Sequence, residues 1–312
     1  MTNKLEQGDY RSGFANWEDR ASVRSKPRRI LDEQLDGKLF FPPELVGPLN
    51  HPAALAVADE DTTRRVLLHR LHLYLDFTED LEQLVVNPVT QLISRSRLGF
   101  ELPRRMLRDA YMICTDESWH ALFSDDLQQQ IVVATGERPV GPRPQFLSEL
   151  DRLEAGEDSQ TRGLTRVFFT LVSETLISAI LSDIPRDDRI ITSVREMVAD
   201  HAEDERRHHA YFAQFFQHAW FQLGSRQRAA IGPMLPVFVT AFLGQDPAAD
   251  AHLLRIAGVP AGDVRGVVED LGGPAAAAVR HAAAATLRLF ERNGVMADTR
   301  TYDSFAAHGL VS

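Results

Sequence analysis

Apolar residues recur at helical spacing along most of the chain and predict four long helices. In helix one, over 61–94, the apolar positions follow one another at intervals of three, four or seven residues, the spacing of one helix face. They are Leu67, Leu71, Tyr74, Leu81, Val85 and Leu92. Similar patterns predict helix two over 103–135, helix three over 160–183 and helix four over 187–223. Nothing in these segments alternates as a strand would.

Proline, glycine and aspartate mark where these helices bend or end. Pro88 should kink helix one or lie at a local bulge, because proline has no N–H to donate. Asp187 or Asp188 can cap the start of helix four, and Gly224 follows its end. The segment 136–144 (GERPVGPRP) predicts a loop between helices two and three.

The remaining segments predict supporting structure rather than a second domain. Residues 1–55 are charged and then rich in Pro and Gly, which indicates an extended wrap around the core. A short helix is expected near 145–155, and three or four more over 226–312, the clearest being the Ala-rich run 275–292. We therefore predict a single all-α domain, with a four-helix bundle core at 60–225 and satellite helices.

Composition and charge narrow the function classes. The chain has 34 Lys and Arg against 44 Asp and Glu, a net charge of −10, which disfavours a general binder of nucleic acids or of anionic membranes. Its one cysteine, Cys114, excludes an intramolecular disulfide framework and iron–sulfur or Cys-rich zinc sites, and we expect it in the core. With no N-terminal apolar segment and no membrane-length apolar run, we expect a cytoplasmic protein with no membrane or nucleic-acid partner.

Two short patterns on separate helices suggest metal chemistry. Helix two carries Glu117-x-x-His120, and helix four carries His201-x3-Glu205-x2-His208. Residues three and four apart share a helix face, so each pattern directs a carboxylate and its imidazoles to the same side. One Glu-x-x-His is weak support, but di-iron carboxylate bundles place that motif on two helices and a single Glu on each of the other two. Helices one and three should then each supply an inward carboxylate.

Helix three meets this requirement with Glu174. It is the one ionisable residue of 167–182 (VFFTLVSETLISAILS). A carboxylate in such apolar surroundings is nearly always paired or metal-bound, because an unpaired buried charge is costly. Helix one offers Glu79 and Glu82, and we choose Glu82 because its helix face is the more apolar, with Glu79 as the alternative.

The candidate ligand set therefore contains four carboxylates and three imidazoles. It comprises Glu82, Glu117, His120, Glu174, His201, Glu205 and His208. Oxygen-rich sites with a few imidazoles suit iron or manganese better than zinc or copper. Four carboxylates balance the charge of two divalent ions, so the set predicts two iron ions per chain, with manganese as the alternative.

These motifs resemble those of a known family, the di-iron N-oxygenases typified by p-aminobenzoate N-oxygenase (AurF-like), within the ferritin-like superfamily. The resemblance covers about 60–225. It depends on the DE-x-x-H of Asp116 to His120, the SET of Ser173 to Thr175 and the H-x3-E-x2-H of His201 to His208. The most specific element is His201, because this family has a seventh ligand.

The resemblance implies a function and its partners. The fold would be ferritin-like, and the reaction would use O2 to convert an amine to a hydroxylamine, nitroso or nitro product in secondary metabolism. The partners would be a small-molecule amine, a reductase or ferredoxin-type electron donor and a second copy of the chain in a homodimer.

The resemblance also places a substrate-binding region. The family holds the carboxylate of an aromatic substrate with a Tyr and an Arg on helix one and an Asn on helix three. Counted from the glutamates, the Tyr falls on Tyr74, whereas Phe77 takes the Arg position and Ile180 the Asn position. These differences disfavour p-aminobenzoate itself and predict a less acidic substrate, or one anchored differently.

Several alternatives stay open from the sequence. A di-iron enzyme acting at carbon is the main one, and metal storage or radical generation is a lesser one, since the position suited to a radical tyrosine holds Ser124. His69 and His72 could bind metal, but we interpret them as partly exposed or hydrogen-bonded surface residues. Asp116 and Glu203 could orient the imidazoles or could simply be surface acids.

Overall fold

Four long helices form the core of the structure, a computed structural model that describes residues 10–31, 35, 37–181, 184–273 and 276–311. Helix one comprises Glu60–Asp80, Leu81–Val86 and Asn87–Ser94, helix two Arg104–Thr135, helix three Ser159–Ile180 and helix four Thr192–Gln222. The predicted end of helix three at 183 lies outside the described residues. Among those residues there is no strand, and one isolated bridge joins Leu39 to Ile190. The predicted all-α bundle is confirmed.

Helices three and four pack along each other through aromatic side chains. Phe168 of helix three meets Phe216 and Trp220 of helix four edge to face, with ring centroids 5.8 and 6.1 Å apart. Helix two packs against all three segments of helix one. Each helix buries an apolar stripe, as its periodicity requires, so any charged group on these inward faces must have a partner.

Helix one widens at its centre. The segment Leu81–Val86 is a π-helix, and Pro88 lies in the first turn of the α-helix that follows. Because proline cannot donate an N–H, the regular hydrogen-bond pattern cannot continue through it, and a wider turn accommodates the missing bond. The predicted local bulge is thus confirmed, and Glu82 lies within it.

Helix four begins later than predicted. It starts at Thr192, not at a cap formed by Asp187 or Asp188. The N–H of Ile191 donates to the carbonyl of Leu39 at 3.1 Å, and this pairing keeps the chain extended up to the first helical residue. The cap prediction was wrong because Leu39, which accepts this hydrogen bond, lies about 150 positions earlier in the chain, beyond the reach of a local signal.

The connection between helices two and three follows the prediction. Gly136 ends helix two in the left-handed region, with φ 76°, which glycine adopts without a steric penalty. The segment 136–144 contains no regular helix, and the short helix Gln145–Glu154 comes after it. Phe146 and Leu150 of this helix are buried against the bundle.

The N-terminal segment lies across helices two and four. It contains the short helices Trp17–Arg20 and Ser22–Ser25, the second of which contacts both long helices. Tyr10 donates a hydrogen bond to Asp109 of helix two at 2.7 Å. Further single turns follow at Pro43–Leu45, Gly47–Asn50 and Pro52–Leu55.

The C-terminal region forms more and shorter helices than expected. Its described residues contain seven α-helices, namely Ser225–Ile231, Leu235–Leu243, Pro247–Ile256, Ala261–Leu271, Ala276–Ala282, Ala284–Arg292 and Thr299–Ala307. The Ala-rich run is divided at Ala283, where the backbone leaves helical geometry (φ −84°, ψ 2°) and the residue is fully buried. Gly258, with φ 86°, separates two of the others.

One stretch, Ser225–Ile256, is long and apolar enough to cross a membrane by length and composition alone. In the structure it is divided into separate helices, first by the tight turn Gly232–Met234. Phe238 and Val239 of its middle helix are fully buried, and the Phe238 ring lies 5.7 Å from Phe169 of helix three. We therefore interpret this stretch as part of the packed core.

Candidate metal centre

All seven candidate ligand residues meet at the centre of the bundle. Each exposes at most 1% of its surface: Glu82, Glu117, His120, Glu174, His201, Glu205 and His208. Their potential ligand atoms form two groups, in each of which all atoms lie within 4.8 Å of one another. The first group is Glu82, Glu117, His120, His201 and Glu205, and the second is Glu117, Glu174, Glu205 and His208. Because two glutamates belong to both groups, the structure offers two adjoining sites with shared carboxylates.

On helix one, Glu82 joins these groups and Glu79 does not. Glu79 is partly exposed, and partial burial together with the charges of Asp125 and Asp76 raises its pKa. It therefore belongs to a wetter, acidic face of the helix, as the sequence indicated.

Helix four supplies three of the residues because one turn separates each from the next. His201 Nε2 lies 3.2 Å from one oxygen of Glu205, and His208 Nδ1 lies 3.1 Å from the same oxygen. From helix two, Glu117 lies 2.7 Å from His120 Nδ1 and 2.8 Å from His208 Nδ1. Helices two and four are thus joined at the centre through these groups.

Several carboxylate oxygens at the centre lack a hydrogen-bond donor. Both oxygens of Glu82 and one oxygen each of Glu174 and Glu205 have no such partner among the described residues. Buried charges without partners are costly, so four clustered carboxylates require cations or protons. Oxygen and imidazole donors arranged in two adjoining sets fit a pair of iron or manganese ions.

The pKa values show how strongly these groups interact. Burial and the charges of neighbouring carboxylates raise the pKa of Glu82 and of Glu174. Burial by itself would lower the pKa of His120, but Glu117 and Asp204 raise it to about 10. Without metal, the excess negative charge is balanced by protons on these side chains, and metal binding would displace those protons.

A second layer of carboxylates lies behind two of the histidines. Asp204 Oδ2 is 3.2 Å from His120 Nε2, and Asp116 Oδ2 is 3.2 Å from His208 Nε2. Each of these histidines therefore turns Nδ1 to the centre and Nε2 to an aspartate, which fixes the ring and increases the basicity of the ligating nitrogen. Trp17 Nε1 donates to Asp116 at 2.9 Å, so the N-terminal segment holds this layer in place.

Asp204 is itself held from two directions. The backbone N–H of Ser22 donates to it at 3.1 Å, and Arg207 of the same helix forms an ion pair with it. Burial would raise the pKa of Asp204, but the hydrogen bonds from His120 and Ser22 lower it to about 2. This carboxylate is therefore a charged acceptor at neutral pH.

The sequence left open whether Asp116 and Glu203 orient the imidazoles or lie on the helix surface; Asp116 contacts His208, and Glu203 is a surface acid. Glu203 pairs with Lys26 at 2.8 Å and makes no hydrogen bond to an imidazole. Adjacent helical residues differ by 100°, so only one of Glu203 and Asp204 can face the centre. The missed signal is a repeat: Asp204 to His208 forms a second DE-x-x-H motif, matching the one on helix two.

Other polar residues also differ from expectation. His69 and His72 are buried, with 5% and 1% of their surface exposed, and lie outside both ligand groups. His252 of a satellite helix covers His69, with ring centroids 5.5 Å apart, which the spacing on helix one could not reveal. Cys114, expected in the core, is only partly buried.

A cavity of about 350 Å³ opens along helix one. The three residues that the family resemblance associates with substrate, Tyr74, Phe77 and Ile180, all line it. Phe77 packs edge to face on Phe146 at 4.9 Å, which makes one wall aromatic. Arg70 also lines this cavity, although no motif in the sequence indicated it.

Comparisons with known proteins relate this chain to an N-oxygenase family. The model of a family described as P-aminobenzoate N-oxygenase AurF matches residues 25–294, a range that includes all four bundle helices. The 4-aminobenzoate N-oxygenase of Streptomyces thioluteus is 27% identical over 263 residues, which are 82% of this chain and 76% of that protein.

Proposed function

This chain belongs to the P-aminobenzoate N-oxygenase AurF family, and we propose that it oxygenates a small amine with O2 at two iron ions held in its bundle. Membership makes the chain an oxygenase that acts on an amine. The observation that carries the metal assignment is the pair of adjoining ligand groups sharing Glu117 and Glu205. Manganese would fit the same donors, but iron is the choice that supplies oxygen activation.

The two groups suggest how the residues would divide between the ions. Glu82, His120 and His201 belong to one group alone, and Glu174 and His208 to the other. Glu117 and Glu205 belong to both groups, so they would be available to hold either ion. Four carboxylates would balance two divalent charges, so the buried centre would stay close to neutral.

The bound metals would supply oxygen activation: one atom of O2 forms the new N–O bond, and the other leaves as water with two electrons from a donor and two protons. The protein would position and protect this reaction. His120 and His208 would each donate a hydrogen bond from Nε2–H to the aspartate behind it. The Nδ1 lone pair of each histidine would then be free to bind metal. The ring centroid of Phe14 lies 6.0 Å from that of His208, in a stacked arrangement, and the centroid of Phe123 lies 5.3 Å from that of His120. These apolar rings would limit the entry of water.

Elemental analysis and a product assay test the proposal together. We expect about two iron ions per chain in protein produced with iron present. Mass spectrometry of amines incubated with the reduced protein and O2 should detect products that gain oxygen at nitrogen. Zinc alone, or no metal, would contradict the metal assignment. Products that carry oxygen only at carbon would favour the carbon-oxidising alternative.

The proposal extends to partners and location. The electrons would come from a reductase or a ferredoxin-type protein, the chain would form a homodimer, and the enzyme would work in the cytoplasm. Light scattering on the purified protein tests the dimer. Cell fractionation tests the location, and replacing the chemical reductant with candidate donor proteins tests the electron source.

A further inference from the structure

A second pocket, of about 140 Å³, lies where the N-terminal segment crosses helices two and four. No residue that the structure describes lines both this pocket and the helix-one cavity. Its apolar wall comes from one residue of the N-terminal segment, three of helix two and one of helix four, namely Pro27, Trp119, Leu122, Phe123 and Met197. The pocket is therefore a separate approach to the centre of the bundle.

The charged residues that line this pocket are all paired with one another. Arg28 forms an ion pair with Asp126 at 2.6 Å. Arg29 and Lys26 both pair with Asp200, at 2.7 and 3.6 Å. Among the lining residues that the structure describes, no unpaired charge remains to attract an ionic ligand. The pocket therefore suits a small, neutral and apolar ligand.

An aromatic ring of helix two connects this pocket with the metal centre. Phe123 lines the pocket, and its ring centroid lies 5.3 Å from that of His120 and 5.9 Å from that of His201. Helical spacing explains this proximity, because Phe123 follows His120 by one turn. Met197, at the same pocket, precedes His201 by one turn. Phe123 is partly exposed, so its ring is freer to change rotamer than a fully buried ring.

We propose that this pocket binds O2 and that movement of Phe123 admits the gas to the centre on the side of His120 and His201. This inference rests on the proposed function, which requires O2 at a fully buried centre. O2 is small and apolar, so it is more favourably placed against apolar side chains than in water. Water needs hydrogen-bond partners that an apolar wall does not offer. Entry of O2 by this route leaves the helix-one cavity to the amine.

Xenon, a neutral atom that binds in apolar cavities of about this size, tests the pocket without turnover. X-ray diffraction from crystals held under xenon gas should show an atom beside Phe123 and Met197. Leu122→Trp should fill the pocket and exclude xenon, and Leu122 can carry a larger side chain because 56% of its surface is exposed. Leu92→Trp is the matched control, since Leu92 is also exposed, at 42%, and lines neither cavity. Xenon should bind to this control as it does to the wild type.

Stopped-flow mixing of the reduced, iron-loaded protein with O2 tests the route itself. Leu122→Trp should lower the second-order rate constant for the reaction with O2 by about tenfold or more, the effect of a modest added barrier to entry. Phe123→Ala should raise that rate constant, because it removes the ring between the pocket and the centre. Leu92→Trp should react as the wild type does. Calorimetry without O2 should give the same amine affinity for Leu122→Trp and the wild type, because the amine uses the other cavity.

The outcomes separate this inference from the proposed function. A wild-type pocket without xenon, or a Leu122→Trp variant that excludes xenon and still reacts with O2 at the wild-type rate, would overturn it. A loss of amine affinity in Leu122→Trp would show that the pocket holds the amine, and would overturn it too. If Leu122→Trp does not fold, a Phe123→Ala variant that reacts with O2 no faster than the wild type would overturn it instead. O2 consumption that depends on the pocket but gives no N-oxygenated product would uphold the route and contradict the proposed function.

Discussion

The three histidines of the centre are held in two different ways. His120 and His208 each belong to a DE-x-x-H motif, and each has an aspartate from the opposite motif behind its Nε2. His201 belongs to no such motif, and its Nδ1 has no hydrogen-bond partner among the described residues. Burial and the nearby His120 lower its pKa, so it is a neutral imidazole. The comparison suggests that the two supported histidines secure the metals, whereas His201 adjusts what they do.

The largest effect should come from removing a carboxylate of the centre. Glu174→Ala and Glu205→Ala each delete an anionic ligand from a buried site, and the remaining residues cannot balance the charge of two cations. We expect both variants to lose nearly all bound metal in elemental analysis. Circular dichroism would verify that the bundle stays folded. Two ions per chain in either variant would show that the residue is not a ligand.

The next largest effect should come from the supporting layer. Asp204→Ala leaves His120 Nε2 without its acceptor, and Asp116→Ala does the same to His208. Loss of such a partner typically costs about 10- to 100-fold in metal affinity or activity, and the paired geometry predicts similar losses for the two variants. Competition with a chelator measures the affinity. A large loss in only one variant would mean that the two motifs are not equivalent.

The sequence could predict the centre because its residues repeat at helical spacing. A lone glutamate in an apolar helix and two Glu-x-x-His motifs leave few arrangements that bury all of these charges together. Glu174 is the clearest case, since no other ionisable group lies within the apolar stretch 167–182.

The remaining features depend on contacts between distant parts of the chain. Helix four starts at Thr192 because Leu39 pairs with Ile191. His69 is buried because His252 of a satellite helix covers its ring. Local spacing contains neither fact, although the second DE-x-x-H could have identified Asp204.

A smaller effect on metal is expected at His201, although its effect on catalysis should be large. His201→Ala removes a neutral nitrogen donor and no charge, so four carboxylates and two supported histidines still surround the metals. We expect the variant to retain a substantial part of its metal and to lose most N-oxygenation activity. Elemental analysis and the product assay on the same preparation would check both. Full activity would show that His201 has no role in the reaction. Complete loss of metal would show that His201 secures the metals as His120 and His208 do.

The smallest effect should come from Glu203, the neighbour of Asp204 on helix four. The two acids are adjacent in sequence and differ by 100° around the helix, so Asp204 contacts a buried histidine while Glu203 pairs with Lys26 near the surface. The exposed fraction is 22% for the Glu203 side chain and 29% for the Lys26 side chain. Partly exposed pairs of this kind contribute less than about 1 kcal/mol to stability. Glu203→Ala should therefore keep the metal content and activity of the wild type, with only a slight change in the free energy of unfolding measured in urea.

Competition with a chelator should be measured for Glu203→Ala and Asp204→Ala together. The two variants remove acids one position apart, so their metal affinities can be compared directly. If Glu203→Ala lost metal as readily, the loss would reflect charge near the centre rather than support of an imidazole, and the distinction between the two kinds of histidine would fail.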